Sequence, residues 1–266
     1  MTRNRTLRSL YVDPIRTLLD HQNPDNEFSH GTRNGIFDTV REQMLVLLID
    51  IKTDGYKTLP VVQKQLEALR EKNYLTYFNG EKVIQGPVQV VMTGDTPFDL
   101  LVSNTTYRDT FFDAPLDKIW EDSDERRALI AVGTVGENDG VRKHSKIKKR
   151  DAASPQGLIG TSDVTGASFT PENSYYASVS FRDVLGWPAF FGRLNERTLA
   201  TMRGQIAAAH AQGLKVRYWE TSNWPIGARH KIWKTFLEEG VDVLNVDDLK
   251  DVARGTWRRG ERWWLW

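Results

Sequence analysis

Asp50 and Lys52 close an otherwise apolar run, Met44 to Lys52 (MLVLLIDIK). In an extended chain, side chains two apart face the same side, so this carboxylate and this ammonium project together above Val46 and Leu48. An anionic metal ligand beside a cation suits phosphoryl chemistry. The carboxylate holds a divalent ion while the ammonium neutralises non-bridging phosphate oxygens as charge builds in the transition state. An ordinary ion pair at a strand end has the same signature, and the pair alone does not separate the two readings. Other polar groups at the ends of β-like runs are Asp113, Trp219, Glu220, Asn245 and Asp247. Each is also readable as a loop or capping residue, and Asp247 reads as the N-cap of the DDLKDV helix. Two strand-end carboxylates such as Asp50 and Asp247 would serve glycoside hydrolysis if they faced one cleft at the right separation.

What is absent narrows the chemistry. The five histidines, His21, His30, His144, His210 and His230, fall at no strand end and in no metal-binding spacing. No Gly-x-Ser-x-Gly elbow, HExxH helix or Walker loop occurs, which leaves serine hydrolases, zincins and P-loop enzymes without support. The lack of cysteine excludes disulfides, thiolate metal sites and cysteine nucleophiles, and leaves the compartment open. Lys plus Arg number 36 against 35 Asp plus Glu, so no global field draws the chain to nucleic acid, and none is expected as a partner. The first ten residues (MTRNRTLRSL) lack an apolar h-region. No stretch approaches the roughly 20 apolar residues of a membrane span. Sequons at Asn4 and Asn104 matter only if the chain is secreted.

The elements that must position Asp50 and Lys52 follow from the same pattern. A continuous apolar run that turns polar only at its end predicts a strand buried on both faces of a parallel sheet. Thr58 can cap the helix that follows, with Val62, Leu66 and Leu69 on one face. Further β-like runs lie at 88–93, 109–113, 175–181, 215–221 and 241–247, and a helix over 195–211 carries Leu199, Met202 and Ile206 on one stripe. An earlier helix spans 5–20, with Pro14 marking a break or a new first turn. Six strands, several separated by helices, predict a parallel α/β fold. The first strand–helix turn, Asp50 to Lys57, has no glycine-rich phosphate loop, which argues against a doubly wound dinucleotide fold. A chain of 266 residues suits a single (β/α)₈ barrel, and six strands are two short of closing one. The expected domain is 1–254. Residues 131–168, rich in Gly, Ser, Thr and Asp and carrying the basic run 142–150, read as a disordered insertion. The tail from Thr256 to Trp266 holds four tryptophans and three arginines. It reads as a docking or fraying tail, with interfacial membrane contact as the other reading.

Taken in order, RTLRSLYVDPI, LVLLIDIKTDG, NSYYASVSF, GLKVRYWET with the following NWPIGAR, and GVDVLNVDDL resemble the altered inheritance of mitochondria protein 6 family. That family belongs to the phospholipase-C-like phosphodiesterases, with the glycerophosphodiester phosphodiesterases and sphingomyelinase D. The resemblance covers roughly residues 5–125 and 169–254, and it is the ordered set rather than any one motif that makes it specific. It implies a TIM barrel that hydrolyses a small-molecule or lipid phosphodiester with two histidines as acid and base and a divalent metal, Mg or Ca, held by acidic residues. Asp50 then resembles the acidic metal ligand on the third strand, Lys52 its basic catalytic companion, and Trp219 the aromatic residue lining the substrate pocket on the seventh. In the family pattern a histidine on the first strand, a Glu-x-Asp pair on the second and a second histidine come before the segment at which this chain begins. The expectation is therefore a phosphodiesterase barrel lacking its first two strands, weak in metal binding and impaired in catalysis, or else a non-catalytic barrel that binds a phosphorylated ligand or a protein partner.

Overall fold

A computed structural model of the 266-residue chain describes residues 5–24, 26, 33–141, 159–161, 163–186 and 193–254. It has the predicted α/β architecture. Six parallel strands are hydrogen-bonded in chain order, with helices between them, as in a (β/α)₈ barrel with six of its eight strands. Two compact units make up the chain. One comprises Met1–Asp113, Arg150–Asp163 and Pro171–Tyr175, and the other Ala114–Lys149, Val164–Thr170 and Tyr176–Trp266.

In the first unit a π-helical turn, Arg8–Val12, leads into α1 (Asp13–Gln22), with Pro14 in its first turn, where a missing N–H costs no helical hydrogen bond. β1 (Leu45–Ile51) follows, then α2 (Gly55–Gln65) and the short α3 (Glu67–Arg70). Asp54, not Thr58, caps α2 by accepting a hydrogen bond from the Lys57 N–H, and Thr58 sits inside the first turn with its hydroxyl donating to the Asp54 carbonyl at 2.7 Å. A two-residue hairpin, β2 (Tyr77–Phe78) and β3 (Val83–Ile84), precedes β4 (Val88–Gly94), which is buried along its whole length. β4 is followed by α4 (Phe98–Val102) and β5 (Phe111–Pro115), whose end passes into the second unit. Pairing of β1 with β4 sets Leu48 beside Val91 and Asp50 beside Thr93, and pairing of β4 with β5 sets Val91 beside Phe111.

β1 departs from expectation in one respect. It is the terminal strand of the sheet, so residues 45–49 are only half-buried, although their apolar run predicts burial on both faces. Leu45 N–H and Ile51 C=O are engaged on the β4 side, with Pro87 and Asp95. Strand alternation therefore turns the backbone groups of Val46, Leu48 and Asp50 toward the outer edge.

The second unit opens with α5 (Leu116–Asp122) and α6 (Asp124–Ala131) and continues through β6 (Ser174–Ser180), whose first two residues belong to the first unit. Then come α7 (Phe181–Leu185), α8 (Glu196–Ala211), β7 (Lys215–Trp219), α9 (Ile226–Glu239), β8 (Val243–Leu244) and α10 (Leu249–Arg254). Asn195 caps α8, and the predicted stripe buries Met202 and Ile206 while Leu199 stays half-buried. The core is aromatic. Phe181, Tyr218 and Phe236 meet with ring centroids 5.4 to 6.2 Å apart, and Trp120 and Trp233 are fully buried. Burying one such ring contributes roughly 1.5–3 kcal/mol.

Of the segment 131–168, residues 142–158 and 162 lie outside the described residues, as does the tail 255–266. The described stretch before the gap is tied to the helices. Trp120 Nε1 donates to the Asp139 carbonyl at 2.8 Å, Gln205 Nε2 to the Gly140 carbonyl at 2.8 Å, and Arg197 pairs with Asp139. No helix among the described residues is long and apolar enough to cross a membrane.

Candidate functional site

Asp50 is the penultimate residue of β1 and Lys52 lies one past its end, and the structure brings them together: Lys52 Nζ is 2.9 Å from Asp50 Oδ2. Both side chains are exposed, at 66% and 44% for Lys52 and Asp50. An ion pair this open to water contributes at most about 1 kcal/mol to stability. The strand-end geometry therefore leaves both groups available to a ligand at little expense to the fold.

The neighbouring strands continue the row. Thr93 is the register partner of Asp50, and its hydroxyl donates at 2.9 Å to Oδ2 of Asp113, a carboxylate with no solvent exposure on β5. Asp50 and Thr93 are thus the last but one residues of β1 and β4, with Asp113 beside them midway along β5, near the C-terminal strand ends that carry function in barrels of this class. Gly94, the next residue after Thr93, has φ +70°. A Cβ there would overlap Asp50 Oδ1 and the Ile51 carbonyl oxygen, so only glycine lets the Asp50 carboxylate lie across the end of β4.

In the second unit Trp219 ends β7, as expected, and its register partner is Ser180 at the end of β6. Trp219 Nε1 is buried and meets no hydrogen-bond acceptor among the described residues. Directly after it, Glu220 adopts φ +58°, a left-handed conformation uncommon outside glycine and asparagine. Its carboxylate receives Ser180 Oγ at 2.8 Å and Arg182 Nη2 at 2.5 Å. Ser180 in turn caps α7 by accepting from the Asp183 N–H. Asn245, beyond β8, accepts from Arg217 on β7 at 2.5 Å. Asp247 accepts from Asn223 Nδ2 at 3.1 Å, and the cap of α10 that was expected of Asp247 is made by Asp248, which takes the Asp251 N–H at 2.9 Å.

These groups do not make a site for the expected metal. No cluster of three or more His, Cys, Asp or Glu that could hold an ion exists among the described residues. A single carboxylate with an ammonium 2.9 Å away does not fit a hard divalent cation, which takes six or more oxygen ligands. The three described histidines lie on helices instead: His21 in α1, His210 with Nε2 facing Asp242 at 2.8 Å, and His230 with Nε2 facing Asp251 at 2.6 Å. Of the residues that frame the two strand-end clusters, spacing did not point to Thr93, Gly94, Ser180 or Arg182. Only Gly94 carried a usable signal, as a glycine closing a β-like run.

A family model described as an AIM6-like phosphodiesterase domain matches residues 1–113, the stretch that holds Asp50, Lys52, Thr93, Gly94 and Asp113. An altered inheritance of mitochondria protein 6 homolog from Arthroderma benhamiae is 37% identical over 259 residues, covering 96% of this chain and 67% of that protein. The chain belongs to the altered inheritance of mitochondria protein 6 family. Other members are similar over the same span. Those of Lachancea thermotolerans and Candida glabrata are 31% and 29% identical, across 94% of this chain in each case. This chain spans 53% and 54% of their lengths, about half. No solved structure matches. The family is phosphodiesterase-like by the description of its domain, and the resemblance read from the ordered motifs is the family that the comparisons show.

Proposed function

We infer that the family to which this chain belongs comprises phosphoric diester hydrolases of lipid metabolism, metal-dependent and acting on glycerophosphodiesters or phospholipid head groups, and that the 266-residue chain by itself is catalytically impaired. The observation that carries this reading is the exposed Asp50–Lys52 pair at a parallel-strand end, within the stretch matched by the phosphodiesterase model and seated by Gly94. In this reading Lys52 is the catalytic cation that neutralises a non-bridging phosphate oxygen, and Asp50 would be one of several oxygen ligands to the family's divalent ion, a set that the described residues of this chain do not complete. Trp219 is, by the resemblance, the aromatic residue that meets a ligand in the second unit. A lipid phosphodiester would be met at a membrane surface.

The impairment follows from what the described residues supply. One carboxylate leaves a divalent ion largely to water, and no described histidine stands at a strand end to move a proton, a contribution of about 10²–10⁴ in rate. The same two facts favour a second reading, a non-catalytic barrel that binds a phosphorylated ligand or a protein partner, with Lys52 as the contact in the first unit and Trp219 in the second.

Glycerophosphocholine tests the impairment and the binding that both readings share. The purified chain is expected to bind it, with loss of binding in Lys52→Ala, and to show no release of choline or glycerol phosphate above background with or without Mg²⁺. Mg²⁺-dependent hydrolysis abolished in Asp50→Ala would overturn the impairment. No binding of glycerophosphocholine or of inorganic phosphate would sink both readings.

A further inference from the structure

The geometry points to Glu220 as a positioning residue for Trp219. Three features of the second unit converge on the peptide that follows the indole-bearing residue. The first is the left-handed backbone of Glu220, which is strained for a side-chain-bearing residue and persists only where surrounding contacts over-determine it. The second is the pair of contacts that over-determine it, Arg182 at 2.5 Å and Ser180 Oγ at 2.8 Å, both on the one carboxylate. The third is the register. Ser180 is the strand partner of Trp219 and also caps α7, so one hydroxyl ties the end of β6, the start of α7 and the residue after Trp219 into a single cluster.

A strand could end here without any of this. Glycine or asparagine would adopt the same φ at less cost, and an ordinary polar residue would end the strand in extended conformation. The carboxylate is what holds a strained turn immediately beyond Trp219, and the turn fixes the direction in which the chain leaves the indole. Ser180, Arg182 and Glu220 therefore act on a ligand through Trp219. Any effect on ligand binding rests on the phosphodiester reading, but the effect on Trp219 itself does not.

The test labels the chain with 5-fluorotryptophan and follows the ¹⁹F line of Trp219, assigned by its disappearance in Trp219→Phe. Trp120 and Trp233, buried in the same unit, serve as internal controls. Glu220→Gln and Arg182→Met are expected to shift or broaden the Trp219 line beyond its width while the two control lines stay in place. Arg182→Lys, which keeps the ion pair, should leave all three where they are. Glu220→Gly removes both the clamp and the positive-φ penalty, so its urea midpoint should match or exceed that of the parent while its Trp219 line still broadens. Glycerophosphocholine should move the Trp219 line of the parent chain, and Glu220→Gln should need at least tenfold more ligand for the same displacement. If the Trp219 line is unmoved in Glu220→Gln and Arg182→Met, or if all three lines move together, Glu220 is a general strut and the assignment fails. Failure of the parent line to respond to ligand would count against the phosphodiester reading alone.

Discussion

The two units keep their polar strand-end residues in opposite ways. In the first, Asp50 and Lys52 stand exposed on a half-buried edge strand, touching chiefly each other and the bare backbone at Gly94. In the second, Ser180, Arg182 and Glu220 are bound to one another beside a core of Phe181, Tyr218, Phe236 and Trp233. Chemistry is to be sought first where the fold has least at stake. Groups that the fold can lose cheaply are the ones whose placement needs a ligand to explain it, whereas a clamped cluster first needs to be separated from the stability it confers.

Truncation in the two cores should give the largest contrast. Phe236→Ala, at a ring with 1% exposure, is expected to cost about 3–5 kcal/mol in urea unfolding, against less than half of that for Leu48→Ala on half-buried β1. Equal losses would mean that β1 is packed as tightly as the aromatic core of the second unit. Next in size is an alkaline effect, carried in the second unit by Tyr218 and in the first by Tyr74 and Tyr107, whose phenols are pushed up to about 12 chiefly by burial. Burial holds the Tyr218 phenol well above its ordinary value of 10, so the folded state keeps a proton that the unfolded chain releases. Stability linked to this group is complete below pH 10 and falls as pH rises from there toward the folded value, by about 1.4 kcal/mol per pH unit. Tyr218→Phe should flatten that limb of the stability–pH curve, although it also loses the 2.7 Å bond to Gln205 and so starts lower at pH 7. An unchanged limb would show that the phenol titrates in the folded state. The smallest effect belongs to the exposed pair. A double-mutant cycle on Asp50→Ala and Lys52→Ala should return a coupling below about 1 kcal/mol, and a larger value would make the pair structural.

Much of the fold was legible because the strands announce themselves. Each of the six predicted runs became a strand within a few residues of its expected ends, since an apolar stretch between polar turns has little choice in a parallel sheet. The burial of β1 was misjudged for the same reason that it was recognised: the run reads as a central strand, and only the strand order shows it at an edge. Capping was the other failure. Asp54 and Asp248 displaced Thr58 and Asp247 by a few positions, because several oxygen-bearing residues crowd each helix start and only the turn geometry chooses among them. At the candidate site, Asp50 and Lys52 were readable because their relation is local, two positions along one strand. Thr93 with Asp113 and Ser180 with Glu220 are joined across strands, 20 and 40 residues apart, and spacing along the chain carries no trace of them.

Gly94 changes how a mutational scan of this chain would read. Asp50 can shrink to alanine at little loss to the fold, but any side chain at 94 strikes both the Asp50 carboxylate and the Ile51 carbonyl, and shortening Asp50 relieves only the first of these. Position 94 would score as the more intolerant of the two, so a ranking by sensitivity alone would point to the residue that makes room and pass over the one for which the room is made.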